Sequence, residues 1–271
     1  MSADRPCRVG IAGLGAVGRA VALAVDRGIP GYELAAVSAR RPEPAEAFLS
    51  GLQRRPSLLP VQELAQATDL VVECAPATIF RAIAEPVVSA GKDLVVLSAG
   101  ALLEHWDLVE HAERAHARIR VPSGALLALD AVQAAAEGSI DSVSMVTRKP
   151  LAGLLGAPFL TERGIDLAGL TEPRRLFTGT AREAAKGFPA NLNVAVALSL
   201  AGIGPDRTQL EVWADPTVTR NTHRIEVESD SARLTFMIEN IPTDNAATGR
   251  ITALSVIALL RKIASPLQIG T

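Results

Sequence analysis

The chemistry open to this chain is carried by a few residues in unusual settings. The run Val9-Gly10-Ile11-Ala12-Gly13-Leu14-Gly15-Ala16-Val17-Gly18-Arg19-Ala20 is apolar, breaks at three glycines and resumes with helical spacing. Glycines also punctuate ordinary turns. Between a strand and a helix, however, this spacing suits a nucleotide pyrophosphate: Gly13 for the tight turn, Gly15 for close approach of phosphate to backbone, and Gly18 for packing of helix on strand. The free N–H groups of the helix opening at Ala16 and Val17 would then face the phosphates.

The cofactor's adenosine end is read further on. In the NAD form of such a fold an acidic side chain, about 20 residues past the first glycines, holds the ribose hydroxyls. Here the second strand, Tyr32 to Ser38, ends on Ser38, followed by Arg40 and Arg41, while Glu33 lies at the wrong end of the strand. A hydroxyl and two guanidinium groups fit a 2′-phosphate. The expected cofactor is therefore NADP or NAD, leaning towards NADP on the strength of the missing acid; the plainer reading of the two loop arginines is as solvated charges.

Oxidation or reduction of a small molecule also requires a proton carrier and groups for the substrate's charge. His223 sits next to the start of a strand at Arg224, and His titrates near neutrality. On spacing alone a lone His of this kind is more often structural. Arg148, Lys149, Lys186 and Arg224 are the cations available to a carboxylate. Asn191 and Asn193 stand at the mouth of an apolar helix, where one is expected to cap it and the other to reach the nicotinamide. His105, His111 and His116 are six and five residues apart, spacings that do not stack on one helical face; no metal site is expected, and they read as surface residues.

The elements that would position these residues alternate. After the first strand, helix and second strand come buried strands at 68–75 and 93–98, with helices at 77–90 and 104–117, a glycine turn at 98–101 and a short strand at 118–121. Near-continuous apolar strands alternating with helices predict a doubly wound parallel sheet with ligands at the carboxyl ends of its strands, which brings Ala75 to the cofactor. From Val121 the pattern changes: a helix at 126–136, a strand at 140–149, a long Gly- and Pro-rich excursion at 150–173, an apolar helix at 194–201, and three strands at 209–214, 222–228 and 232–239. These predict a second α/β domain with a mostly antiparallel sheet. The expected boundaries are 1–124, completed by 241–271 with a final helix at 248–263, and 125–240 between them.

Composition bounds the partners. The 271 residues are 48% hydrophobic and 21% charged, with a formal charge of −2. There is no basic field for nucleic acid or an anionic membrane, no signal-peptide pattern and no apolar run of membrane-spanning length. A cytoplasmic protein with a small-molecule partner is expected. Cys7 and Cys74 are too few for a disulfide framework and read as small buried hydrophobes.

Taken together and in order, the glycine turn, Val121-Pro122-Ser123-Gly124-Ala125, Thr147-Arg148-Lys149-Pro150, Phe188-Pro189-Ala190-Asn191-Leu192-Asn193-Val194 and Asn221-Thr222-His223-Arg224-Ile225 resemble the L-aspartate dehydrogenase family over essentially the whole chain. That resemblance implies a Rossmann domain joined to an α/β domain carrying the active site, and a homodimer. The implied reaction is NAD(P)-dependent oxidative deamination of L-aspartate to iminoaspartate, which becomes oxaloacetate and ammonia or feeds NAD biosynthesis. Carried over by motif, Ala125 and Asn193 would contact the cofactor and His223 would be the catalytic acid/base; Asn191 and Thr222, next to them in the chain, are the expected substrate contacts. The family's Asn-Pro-Lys-Thr-Ser is replaced by Asn245-Ala246-Ala247-Thr248-Gly249. Two other readings remain open: an NADP-dependent reductase of another imine or carbonyl, and a catalytically silent NADP(H)-binding sensor.

Overall fold

The computed structural model describes residues 5–126, 128–189, 192–243 and 249–270. The chain forms two compact units, one built from the residues up to Pro122 together with Ala253–Gln268, the other from the chain between Ser123 and Thr252.

In the first unit, strands β1 (Cys7–Ala12), β2 (Tyr32–Ser38), β3 (Ser57–Leu58), β4 (Leu70–Glu73), β5 (Asp93–Val96) and β6 (Ile119–Arg120) form one sheet in the order β3-β2-β1-β4-β5-β6. Every pairing is parallel. Helices α1 (Ala16–Asp26), α2 (Pro42–Leu49), α3 (Leu64–Ala67), α4 (Phe80–Ser89), α5 (Ala99–Glu104) and α6 (Asp107–Arg114) connect the strands. Period-two alternation explains how both faces are covered. Val9, Ile11, Val72 and Val95 face Val21 and Val25 of α1. Their neighbours Ala12, Val71, Leu94 and Val96 face Phe80, Ile83 and Val87 of α4 and Leu108 of α6. Central parallel strands need apolar residues at both parities because neither face meets water.

The second unit contains α7 (Leu129–Ala136), β7 (Ile140–Lys149), α8 (Pro158–Glu162), β8 (Arg174–Thr180), α9 (Ala181–Gly187), α10 (Asn193–Ala201), β9 (Gln209–Ala214), β10 (Asn221–Ser229) and β11 (Arg233–Asn240). Its sheet runs β11-β10-β7-β9-β8. β7 and β9 pair in parallel, and the other three pairings are antiparallel. One face packs on helices: Val143, Met145, Val212, Ile225 and Val227 cluster with Val132 of α7, Ala184 of α9, and Ala195 and Leu198 of α10. With Ala, Val and Leu throughout, α10 is buried almost all round. The final helix α11 (Arg250–Ala264) places Val256 and Leu260 in the first unit's core beside α1.

Several expected elements differ. The glycine turn at 98–101 is instead the start of α5, and the single helix at 104–117 is split into α5 and α6 around Trp106. His105 ends α5, half-buried and stacked on Phe80 with ring centroids 6.0 Å apart, rather than lying on the surface. Cys7 and Cys74 are half-buried rather than fully enclosed; partial burial still pushes the Cys7 thiol up to about 11. The helix expected from residue 126 begins at Leu129, after Ala128 turns the chain through a left-handed conformation (φ 56°). The elements at 42–58 and 174–187 lack a strong periodic signal and were not foreseen; α9 is nonetheless closed by a Thr180–Glu183 capping box. Among the described residues, no helix is long and apolar enough to cross a membrane.

Candidate active site

The functional residues fall into two groups, one in each unit. In the first, the three glycines occupy three different environments. Gly13 adopts φ +103°, and a Cβ there would stand 2.6 Å from the Cys74 carbonyl oxygen at the end of β4. A Cβ at Gly18 would lie 1.9 Å from the Gly13 carbonyl oxygen, so only glycine lets α1 approach the turn. At Gly15 a Cβ would meet nothing within 4 Å. That is the open side on which a pyrophosphate can approach the backbone. The first turn of α1, at Ala16, Val17 and Gly18, has no side-chain cap and no acidic residue, which leaves its N–H groups and positive end for an anion. These residues fit a dinucleotide.

Around the turn, the Gly13 N–H donates to the Ser38 carbonyl at 2.8 Å, fixing the end of β2 next to the glycines. Arg40 and Arg41 follow, both exposed and without an ion pair among the described residues. Beyond β4, Ala75 lies in a turn organised by Glu73, which the sequence had not singled out. This fully buried carboxylate accepts from the Ser98 N–H (2.9 Å), the Ser98 hydroxyl (3.0 Å), the Leu97 N–H (3.1 Å) and the Ala75 N–H (3.1 Å). Burial raises its pKa against the opposing pull of these donors. Glu73 therefore ties the carboxyl ends of β4 and β5 together and holds the Ala75 turn.

The second group is made by strand register. β10 alternates, with Asn221, His223, Ile225 and Val227 buried and Arg224 and Glu226 exposed. On β7 the same parity carries Val143, Met145, Thr147 and Lys149. His223 lies directly opposite Thr147, and Asn221 opposite Asn240 of β11. The inner face of the sheet is thus apolar along most of its length and polar at one end, where Thr147, Lys149, Asn221, His223 and Asn240 are all buried. Buried polar residues gathered this way are the informative exception to an apolar core.

His223 Nδ1 is 2.9 Å from Thr147 Oγ1. That contact occupies one ring nitrogen, and Nε2 has no partner among the described residues. Burial, reinforced by the charge of Lys149, pushes the histidine down to about 3, so it is neutral at physiological pH. Burial alone pushes Lys149 down to about 8. Asn240 Nδ2 donates to the Ala125 carbonyl at 3.0 Å, which brings Ala125 to this end of the sheet. Asn193 opens α10 and is half-buried; Leu192, not Asn193, is the capping residue. Thr222 pairs with Arg148 and Glu239, so its side chain lies on the opposite face of the sheet from His223 and is not gathered with it. Asn191, and the 245–248 stretch where the family pattern is broken, lie outside the described residues.

Of the four cations expected near a substrate, three are otherwise placed. Arg148 pairs with Asp215 at 3.1 Å and lies over the Trp213 ring, Arg224 pairs with Glu226 at 2.6 Å, and Lys186 is exposed on α9. Only Lys149 is enclosed. Thr147, Asn240 and Glu73 escaped the sequence reading. For the first two a signal existed, since the core parity of β7 and β11 can be counted outwards from their apolar residues. Among the described residues no group of three or more acidic, His or Cys side chains could hold a metal ion.

A Rossmann nucleotide domain with a second α/β unit bearing a buried histidine defines a nicotinamide-nucleotide-dependent oxidoreductase. The comparisons narrow this class. Residues 13–122 match the NAD-binding domain of homoserine dehydrogenase, and residues 130–263 match the C-terminal domain of aspartate dehydrogenase. The L-aspartate dehydrogenase of Bradyrhizobium diazoefficiens is 60% identical over 100% of this chain and 96% of its own, and L-aspartate dehydrogenase 3 of Bordetella bronchiseptica is 57% identical over the full length of both. In fold, the chain superposes on an aspartate dehydrogenase from Thermotoga maritima with a TM-score of 0.72 and 24% identity, covering 97% of this chain and 99% of that one. The chain belongs to the L-aspartate dehydrogenase family.

Proposed function

We propose that the protein catalyses oxidative deamination of L-aspartate to iminoaspartate, which hydrolyses to oxaloacetate and ammonia, with His223 as the acid/base. The observation that carries this reading is the buried His223, oriented by Thr147 and lying near Lys149, in a chain 60% identical to a named L-aspartate dehydrogenase. In the oxidative direction the substrate ammonium gives up a proton, Cα loses hydride and the Cα–N bond becomes a C=N bond. When bound, nicotinamide supplies the two-electron acceptor for that hydride. His223 is neutral and so able to take the ammonium proton at Nε2, while the Thr147 hydroxyl fixes the plane of the ring. In the reverse direction the imidazolium returns the proton.

The reading extends to cofactor choice and assembly. The absence of an acid at the end of β2, together with two unpaired arginines beside it, favours NADP over NAD. The implied homodimer is checked by light scattering, which should give twice the chain mass.

An amino-acid screen with both cofactors tests the whole reading. The expected result is saturable reduction of NADP+ by L-aspartate at alkaline pH, with D-aspartate and L-asparagine inactive. Tight NADPH binding without turnover of any amino acid would leave a nucleotide sensor instead.

A further inference from the structure

Lys149 is a costly side chain where it stands. It is 2% exposed, and no hydrogen bond or ion pair satisfies its ammonium among the described residues. Lysines are almost never fully buried unless paired, because an uncompensated buried charge costs several kcal/mol. Its neighbours on the inner face offer nothing to neutralise it. Met145 and Thr147 lie on its own strand, Ala214 is its register partner on β9, and Asn221 flanks it from β10. α10, which packs under this face, carries no charged residue.

The titratable groups nearby are His223 on β10 and Asp215, just beyond β9. Asp215 is already engaged by Arg148 at 3.1 Å, the Thr217 hydroxyl at 2.6 Å and the Thr217 N–H at 2.9 Å. A second unmet polar atom stands at the same end of the sheet: Asn240 Oδ1, buried and without a hydrogen-bond partner among the described residues. It can accept from an ammonium, whereas Lys149 can only donate. An unmet cation and an unmet acceptor on one buried face match the two charged ends of an α-amino acid.

We infer that Lys149 Nζ is the seat of a substrate carboxylate beside His223, with Asn240 Oδ1 receiving the substrate's ammonium group. This deepens the proposed function and rests on it for the identity of the substrate. It also bears on the basicity of the histidine, which burial lowers most and Lys149 lowers further. The positive charge of Lys149 helps keep His223 from accepting a proton, and an arriving carboxylate offsets that charge. The carboxylate thereby lessens the smaller of the two effects that lower the histidine's affinity for a proton, burial being the larger. No bond is made or broken in this step; it is a change in electrostatic environment.

The test uses the full-length protein saturated with NADPH and succinate as the probe, a dicarboxylate with no amino group to react. Calorimetry gives succinate affinity for the wild type, Lys149→Met, Lys149→Arg and Lys186→Ala. The expected result is that Lys149→Met weakens succinate binding about a hundredfold or more, the scale for losing a charge-assisted contact. Lys149→Arg should retain part of the affinity, exposed Lys186→Ala should leave it unchanged, and NADPH affinity and melting temperature should be no lower than wild type in Lys149→Met. KM for L-aspartate should rise in parallel with the succinate constant. The inference is overturned if Lys149→Met binds succinate as the wild type does, or if the wild type itself binds none. It is equally overturned if both Lys149 variants lose NADPH binding and melting temperature along with succinate, which would make the lysine structural. Because succinate binding needs no turnover, a wild type that binds it but oxidises no amino acid refutes the proposed function while leaving the Lys149 assignment standing.

Discussion

The glycine turn of the first unit and the polar end of the second unit's sheet are built by opposite means. The turn works through backbone: N–H groups at the start of α1, a φ of +103° at Gly13 and the lack of a side chain at Gly18. The polar end works through side chains, and its members Thr147, Lys149, Asn221, His223 and Asn240 come from three strands across more than ninety positions. A backbone site is contiguous in the chain and tolerates no added atoms. A register-built site is scattered, and its members can be exchanged without disturbing the sheet. Substitutions in the first should therefore destroy binding together with local structure, whereas those in the second should change chemistry and leave the fold intact.

The largest effect expected from this contrast is at Gly18. A valine there drives its Cβ into the Gly13 carbonyl, so Gly18→Val should abolish NADPH binding and lower the melting temperature, both measurable by thermal shift with and without cofactor. Retained NADPH binding would show that the turn is not the pyrophosphate site. A smaller effect is expected beside the turn. Replacing Arg40 and Arg41 together by alanine should weaken NADP+ by about ten- to a hundredfold and leave NAD+ unchanged, since each charge-assisted contact is worth about 1.5 kcal/mol or more. Equal losses for both cofactors would remove the 2′-phosphate from the account.

A third effect, confined to stability, is a gain. Lys149 binds its proton less readily in the folded chain, with a pKa of about 8 against the usual 10.5. Between those values the unfolded chain holds more protons, so folding stability rises with pH across that window, and the full penalty applies below about pH 8. At about 1.4 kcal/mol per pH unit the penalty is at most roughly 3 kcal/mol. Lys149→Met should thus melt several degrees above the wild type at pH 7, with the difference vanishing near pH 10.5. A variant less stable than wild type at pH 7 would show that the ammonium has a partner in the folded protein.

The same contrast explains what could be read from the residues alone. Gly13, Gly15 and Gly18 were legible because a tight turn, an open approach to the backbone and close packing of helix on strand each call for glycine at short fixed spacing. Strands β1, β2, β4 and β5 were legible because burial on both faces leaves uninterrupted apolar runs. His223 was visible, but its setting was not, since the burial that makes it neutral depends on Thr147 and Lys149 seventy-odd residues earlier meeting it in register. Thr222 was drawn in by sequence adjacency to His223, although adjacent strand residues point to opposite faces. Arg148 and Lys149 looked equivalent in the chain. Alternation sends one to Asp215 and Trp213 and the other into the core. Glu73 escaped because a buried carboxylate satisfied by neighbouring backbone N–H groups leaves no motif.

The central claim is that His223 moves the proton in L-aspartate oxidation. It is tested most directly by measuring kcat and NADPH affinity on the same preparation of His223→Ala. The account predicts that kcat falls by about 10²–10⁴, the usual contribution of general acid–base catalysis, while NADPH affinity and melting temperature are kept. Turnover at the wild-type rate in that variant would contradict it.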